Sequence, residues 1–224
     1  MTMQAPQIVS GDSVRSEAYG FIWYCVPKVA SRSLLALLAT ESAGGIRFKD
    51  TPTPKEVSLP EGKKLDDYFK FAFVRDPIDR ILSAYVDKIA HYDDSVGKRA
   101  MMKKHKGLRP FMPFNAFLDW LEGPEGGDDG FVDPHFRSQH AFVFDGAGRR
   151  AVDFVGRMET LDDDFRTVCR TVGLPEAELP RLNTNHGRIG GHAAPPDYYR
   201  TLVNAGDVAR LRRRYARDMQ SFGY

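Results

Sequence analysis

The sequence predicts an α/β fold: one P-loop-like domain with a central parallel β-sheet flanked by helices. Two strand-to-helix junctions carry that prediction. In the first, the apolar run Phe21-Ile22-Trp23-Tyr24-Cys25 enters a short polar loop, and a second apolar run, Leu34-Leu35-Ala36-Leu37-Leu38, leaves it. In the second, the apolar run from Phe69 to Val74 ends in Arg75-Asp76-Pro77. Strands that alternate with helices favour parallel pairing and place ligands at the strands' C-terminal ends. A chain of 224 residues suits a single domain, 1–224, that buries roughly three-quarters of its unfolded surface.

The elements follow in order. The first junction comprises strand 20–26, loop 27–31 and helix 31–41, and the second strand 69–74 and helix 77–91. Asp76 suits the N-cap of that second helix, Pro77 its first position and Asp79 its third. Thr51-Pro52-Thr53-Pro54 and Leu59-Pro60-Glu61-Gly62 are breaker-rich and read as connecting loop. Residues 92–112 are polar and basic, a helix covers 113–121, and Gly123-Pro124-Glu125-Gly126-Gly127-Asp128-Asp129-Gly130 is a flexible loop. Apolar runs at 141–144 and 154–155 suggest further strands. Thr160 caps a helix to Val172 with Asp162, Asp163 and Asp164 in its first turn, and a last helix spans 207–220. Residues 1–19 are expected to be a flexible N-terminus; they lack the apolar core of a signal peptide or membrane span.

The chemistry concentrates at the two junctions. The first loop reads Pro27-Lys28-Val29-Ala30-Ser31-Arg32-Ser33, and a loop of this kind between strand and helix aims backbone N–H groups and a helix N-terminus at one spot. That spot suits a phosphate or a sulfate. Lacking glycine, the loop fails the GxxxxGK[ST] pattern of nucleoside triphosphate sites. At the second junction Arg75 and Ser83 are spaced to offer a guanidinium and a hydroxyl to another anionic group. Two anion sites imply a ligand with two separated phosphate-like groups.

With these residues the chain resembles the PAPS-dependent sulfotransferases, in particular the Golgi carbohydrate sulfotransferases (sulfotransferase family 2) and their bacterial relatives. The family's PK-[VT]-[AG]-[SC] loop matches Pro27 to Ser31, and its RDP-x-x-R-x-x-S-x-Y segment matches Arg75 to Tyr85. The likeness continues through Val86-Asp87-Lys88, Asp133-Pro134-His135-Phe136-Arg137-Ser138-Gln139, and Phe154-Val155-Gly156-Arg157-Met158-Glu159-Thr160-Leu161. It ends in Tyr215-Ala216-Arg217-Asp218-Met219-Gln220-Ser221-Phe222-Gly223-Tyr224, similar to the family's Y-x-x-D-x-x-x-F-G-Y. The resemblance implies a sulfotransferase fold and transfer of a sulfuryl group from 3′-phosphoadenosine 5′-phosphosulfate (PAPS) to a hydroxyl acceptor, a carbohydrate first among them, with PAP as product and no metal. It assigns the 5′-phosphosulfate to Pro27, Lys28, Val29, Ala30, Ser31, Arg32 and Ser33, and the 3′-phosphate to Arg75 and Ser83. Lys28 would neutralise the leaving phosphate oxygen. His135 is the candidate general base. Related heparan enzymes carry their base soon after the first helix, where this chain offers Arg47 and Lys49 and, further back, Glu41. Arg32 and Ser33 differ from the residues common in the Golgi enzymes.

Other readings compete with these. Arg75 could instead form a structural ion pair with Asp76 or Asp79, Ser83 could bond its own helix backbone, and Arg157 with Glu159 could be a structural pair. The run Arg210-Leu211-Arg212-Arg213-Arg214-Tyr215 resembles a nucleic-acid patch, but Leu211 and Tyr215 at helical spacing make it an amphipathic helix with a solvated basic face. Asn183-Thr184-Asn185 lies where the family approaches the nucleotide. Six Lys or Arg residues between Lys98 and Arg109 suit an acidic acceptor, so 92–130 is assigned to the acceptor-side loops and helix. The alternatives to a sulfotransferase are a non-catalytic adenine-nucleotide or polyanion-binding module and a small-molecule kinase.

A net charge of +2 gives no global bias toward nucleic acid, and none is expected as a partner. Cys25 and Cys169 read as two buried thiols in a reducing compartment, which together with 1–19 points to a cytoplasmic, bacterial enzyme. No interface patch is legible, so no oligomeric state is assigned.

Overall fold

The computed structural model describes residues 12–39, 45–49, 59–180, 188–189, 192–193, 200–201 and 203–224. Glu41, Thr51-Pro52-Thr53-Pro54 and Asn183-Thr184-Asn185 lie outside the described residues. The chain divides into two compact units, Met1–Arg75 with Gln139–Leu182, and Asp76–Ser138 with Asn183–Tyr224.

The first unit holds a five-stranded sheet. Its strands are β1 (Asp12–Ser16), β2 (Phe21–Tyr24), β3 (Gly45–Lys49), β4 (Phe69–Val74) and β5 (Phe154–Arg157), in the order β3-β1-β2-β4-β5. β2, β4 and β5 are parallel, with Tyr24 opposite Ala72 and Val74 opposite Arg157. This is the parallel α/β core that the alternating pattern predicts. All four β2 residues are buried, as are Phe71 to Val74 of β4, so these strands read as continuous apolar runs. The Phe21 and Phe71 rings lie 5.7 Å apart, and Phe71 meets Phe73 edge-on at 6.1 Å. Helix α1 (Ser31–Leu38) and a long helix at 161–172 belong to the same unit.

The sheet departs from the sequence reading on its other side. β1 pairs antiparallel with both β2 and β3. Residues 12–16 are therefore a strand inside the stretch read as flexible. Their polar composition hid it: Ser13 and Ser16 are fully buried, and the Ser13 hydroxyl accepts from the Cys25 N–H at 3.3 Å. Where the apolar run at 141–144 suggested a strand, the chain forms a short helix, His140–Val143, closed by the Phe142 N–H donating to the Gln139 carbonyl at 2.9 Å. Four consecutive apolar residues cannot distinguish a strand from one buried helical turn.

In the second unit, helix α2 (Pro77–Tyr85) begins as its sequence dictates. The Asp76 carboxylate accepts from the N–H groups of Ile78 (2.8 Å) and Asp79 (3.0 Å), and Pro77 occupies the first position. The helix runs on as a π-helical turn, Val86–Ala90. Then come α3 (Val96–Lys104) and α4 (Phe114–Glu122). The short helix at 140–143 is α5 and the helix Leu161–Val172 is α6, both of the first unit. The C-terminal part of the second unit holds α7 (Ala205–Arg214) and α8 (Ala216–Phe222). Its core joins Ile81, Leu82, Phe117, Leu121, Phe136 and Leu211. The last helix, expected to be continuous over 207–220, breaks at Tyr215 (φ −107°, ψ 29°), whose hydroxyl donates to the Phe136 carbonyl at 2.6 Å. Thr160 precedes α6 but does not cap it: its hydroxyl donates to the Asp164 carboxylate at 2.7 Å, and that carboxylate also accepts the Arg157 N–H at 2.7 Å.

Candidate active site

β2, β4 and β5 end at the same edge of the sheet, and the first unit carries its candidate anion-binding groups there. The loop after β2 turns through two left-handed residues, Lys28 (φ 71°) and Ala30 (φ 48°). Neither is glycine, so each conformation costs about 1–3 kcal/mol of strain that the surrounding packing sustains. Val29, 1% exposed, and Leu34, 0% exposed, supply that packing. Left-handed turns of this kind fold successive N–H groups into a concave nest for an anion. The nest opens onto α1, whose N-terminus has no side-chain cap and turns the positive end of the helix dipole toward it. Two of the loop's hydroxyls are less simple than the sequence suggested. Ser31 donates its proton to the Val26 carbonyl at 3.1 Å, which closes the loop, and Ser33 is 6% exposed. Arg32 is exposed.

Arg75 follows β4 at the same edge. Its backbone is gripped by one side chain: the Gln139 Oε1 accepts the Arg75 N–H at 2.9 Å, and the Gln139 Nε2 donates to the Arg75 carbonyl at 2.7 Å. No described residue pairs with the Arg75 guanidinium. The carboxylates that a structural ion pair would have used belong to the second unit, where Arg200 binds Asp79 at 2.5 Å and Asp76 at 3.1 Å. An uncapped nest and a cation on adjacent parallel strands, which lie about 4.8 Å apart, fit a ligand that carries anionic groups.

The second unit carries Ser83 and His135. Ser83 is half-buried on α2, and no described residue accepts from its hydroxyl. The self-bonding alternative is therefore not what the helix shows. His135 is paired: its Nδ1 lies 2.7 Å from the Asp133 Oδ1, which also accepts the His135 backbone N–H at 3.0 Å. Burial alone would push the Asp133 carboxyl up, but the hydrogen bond and charge of His135 overcome it and hold the group down at about 2. Asp133 is thus ionised at neutral pH, and a ring nitrogen this close to it carries its proton. In the neutral ring Nδ1 is then the donor and Nε2 the acceptor nitrogen.

The segment that presents His135 has no regular structure, yet its carbonyls are held by buried side chains. Arg80, 0% exposed, donates from Nη1 to the His135 carbonyl at 3.3 Å and from Nη2 to the Arg137 carbonyl. Tyr215 binds the carbonyl between them, that of Phe136. Arg137 reaches back to the Val132 carbonyl at 3.2 Å, and the Asp129 carboxylate takes both the N–H and the hydroxyl of Ser138. The family-like segments contain Arg80, Tyr215 and Gln139, but their sequence carries no sign of these carbonyl and backbone contacts.

The basic stretch from Lys98 to Arg109 is not uniform. Lys98 is buried and bonded to the His91 carbonyl at 2.9 Å and to Asp93 at 3.2 Å, and Arg99 pairs with Asp94 at 3.0 Å. Lys103, Lys104, Lys106 and Arg109 are exposed. Lys104 sits 5.6 Å from the Phe131 ring, and Phe131 and Phe111 are exposed aromatics of the same unit. On α7, Arg210 pairs with Asp119 and Glu122, each at 2.7 Å, and Arg214 with Asp129 at 2.7 Å, while Arg212 and Arg213 are exposed. Among the described residues no group of three or more His, Cys, Asp or Glu could hold a metal ion, and no helix is long and apolar enough to cross a membrane.

A left-handed loop before α1 and a braced arginine at the ends of adjacent parallel strands form an arrangement that can receive anionic groups. The chain belongs to the sulfotransferase family, whose sequence model matches residues 12–224. It is 28% identical over 178 residues to carbohydrate sulfotransferase 10 of Xenopus laevis, covering 72% of this chain and 49% of that protein. With carbohydrate sulfotransferase 14 of Mus musculus it shares 31% identity over 180 residues, 71% of this chain and 46% of that one. An uncharacterized protein of Archaeoglobus fulgidus is 32% identical over 143 residues, 63% of this chain and 92% of that one. The chain spans about half the length of the carbohydrate sulfotransferases it matches. No solved structure matches it.

Proposed function

We propose that the chain, 1–224 as a single catalytic domain, transfers a sulfuryl group from PAPS to a hydroxyl of a carbohydrate. The observation that carries this reading is the glycine-free, left-handed loop at Lys28 and Ala30 opening onto the uncapped N-terminus of α1, on the strand next to Arg75. The donor supplies the sulfuryl group; the remaining chemistry falls to the chain. The nest N–H groups and Lys28 take the 5′-phosphosulfate, and Lys28 neutralises charge on the phosphate oxygen as its bond to sulfur breaks. Arg75 and Ser83 take the 3′-phosphate. Nε2 of His135 accepts the proton of the acceptor hydroxyl as that oxygen bonds to sulfur. As in phosphoryl transfer, positioning and electrostatics do most of the work.

Carbohydrate as the acceptor class is supported by the names of the relatives and by exposed Lys103, Lys104, Lys106 and Arg109 near exposed aromatic rings, a surface suited to an acidic glycan. A reducing, cytoplasmic compartment is supported by Cys25 and Cys169, two buried thiols outside any disulfide. The test is transfer of radiolabelled sulfuryl from PAPS to a panel of neutral and acidic polysaccharides by the wild type, Lys28→Ala and His135→Ala. Labelled polysaccharide from the wild type and at least hundredfold less from both variants is the expected result. Full activity of Lys28→Ala would sink the reading.

A further inference from the structure

We propose that Gln139 is a positioning residue of the donor site, acting on the 3′-phosphate through the backbone of Arg75. The inference rests on the reading that Arg75 takes that phosphate.

The parallel ladder between β4 and β5 ends at the pair Val74 and Arg157. One residue further on, Arg75 has an N–H and a carbonyl that no strand partner can take. Its neighbour Asp76 has already left strand geometry (φ −41°) to start α2. A side-chain amide has the donor and acceptor of a peptide group, and the Gln139 amide supplies both to Arg75, at 2.9 and 2.7 Å. It extends the ladder by one residue with a side chain in place of a strand. Gln139 is itself 0% exposed, and its carbonyl is fixed by the first turn of α5 through Phe142. The amide therefore cannot swing away to water. With both backbone groups of Arg75 held, the direction in which its side chain leaves the sheet edge is held too. A guanidinium recognises phosphate through a planar fork whose strength depends on that direction. Losing the clasp would leave two backbone groups unsatisfied and let the Arg75 peptide rotate.

The experiment is calorimetric titration with 3′,5′-ADP and with 5′-AMP, which differ only in the 3′-phosphate, on wild type, Gln139→Met, Arg75→Ala and the double variant. Met keeps the volume and removes both hydrogen bonds. The expected result is 3′,5′-ADP binding about tenfold weaker in Gln139→Met with 5′-AMP changed less than twofold, and no further loss when the change is made on top of Arg75→Ala. Equal losses for both ligands would mark Gln139 as a general structural residue and overturn the inference. So would wild-type affinity for 3′,5′-ADP in Gln139→Met when Arg75→Ala is impaired. Unchanged 3′,5′-ADP binding in Arg75→Ala would instead overturn the underlying role of Arg75. Should Gln139→Met not fold, Gln139→Glu serves. Once protonated, its carboxyl can again donate to the Arg75 carbonyl and accept its N–H. Its preference for 3′,5′-ADP should return toward that of the wild type as pH falls to about 5, and no such recovery would overturn the inference.

Discussion

Oδ1 of Asp133 accepts from both the ring Nδ1 and the backbone N–H of His135, at 2.7 and 3.0 Å. One carboxylate oxygen thus sets the ring's tautomer and the turn that presents it. The pair has a consequence for stability. The Asp133 carboxyl is held at about 2, below its ordinary 3.8. A depressed carboxyl stabilises the fold above its unfolded value, and that stability is lost as pH falls through the folded value. Wild type should therefore lose about 2 kcal/mol between pH ~4 and ~2. Asp133→Asn should lack this component, as urea unfolding across that range would show. The same variant should lower kcat, because the neutral amide no longer selects the Nδ1–H tautomer, while 3′,5′-ADP affinity stays put.

Tyr215→Phe removes only the hydroxyl that binds the Phe136 carbonyl. A buried carbonyl left without its donor costs about 1–3 kcal/mol. Denaturant unfolding should show that loss, with amide exchange at residues 135–137 faster than in the wild type. Unaltered exchange there would mean that the carbonyl clamp does not hold the His135 segment.

Gly156 lies where a Cβ would come within 2.4 Å of the Phe73 ring. Phe73 is 1% exposed and packed between neighbours, so the ring has little room to yield. Gly156→Ala should cost about 1–3 kcal/mol through overpacking. Adding Phe73→Leu should recover part of it. Additive losses in the two changes would contradict steric contact as the cause.

The basic stretch should split into two behaviours. Neutralising exposed Lys103, Lys104 and Lys106 together should raise the acceptor KM severalfold and leave donor affinity unaltered. Lys98→Met, at a buried site bonded to the His91 carbonyl and Asp93, should instead lower the unfolding midpoint. An unchanged acceptor KM in the triple variant would remove these lysines from the acceptor surface.

The two junctions were legible because each is written in local chemistry. Asp76 and Pro77 start α2 whatever surrounds them, and an apolar run followed by a lysine loop needs no partner to be read. β1 was not legible, because its buried serines look like surface residues, and only the fold shows the Ser13 hydroxyl accepting the Cys25 N–H and the Ser16 hydroxyl accepting the Tyr19 N–H. The break at Tyr215 is invisible for a related reason: the residue fits the apolar face of a helix, and only its hydroxyl on the Phe136 carbonyl shows why the helix bends there. The roles of Gln139 and Arg80 are contacts over 64 and 55 residues of sequence. Spacing within a motif carries no trace of such contacts, although both residues stood in segments quoted for the family resemblance. In the basic stretch, composition groups Lys98 with its neighbours, and burial separates it from them.

The most direct test of the donor site is calorimetric titration of the wild-type protein with 3′,5′-ADP beside ATP. The proposed assignment of the nest to a 5′-phosphosulfate and of Arg75 to a 3′-phosphate predicts 3′,5′-ADP binding at least a hundredfold tighter than ATP. Equal affinities, or a preference for ATP, would contradict the account and bring forward the kinase or general anion-binding readings.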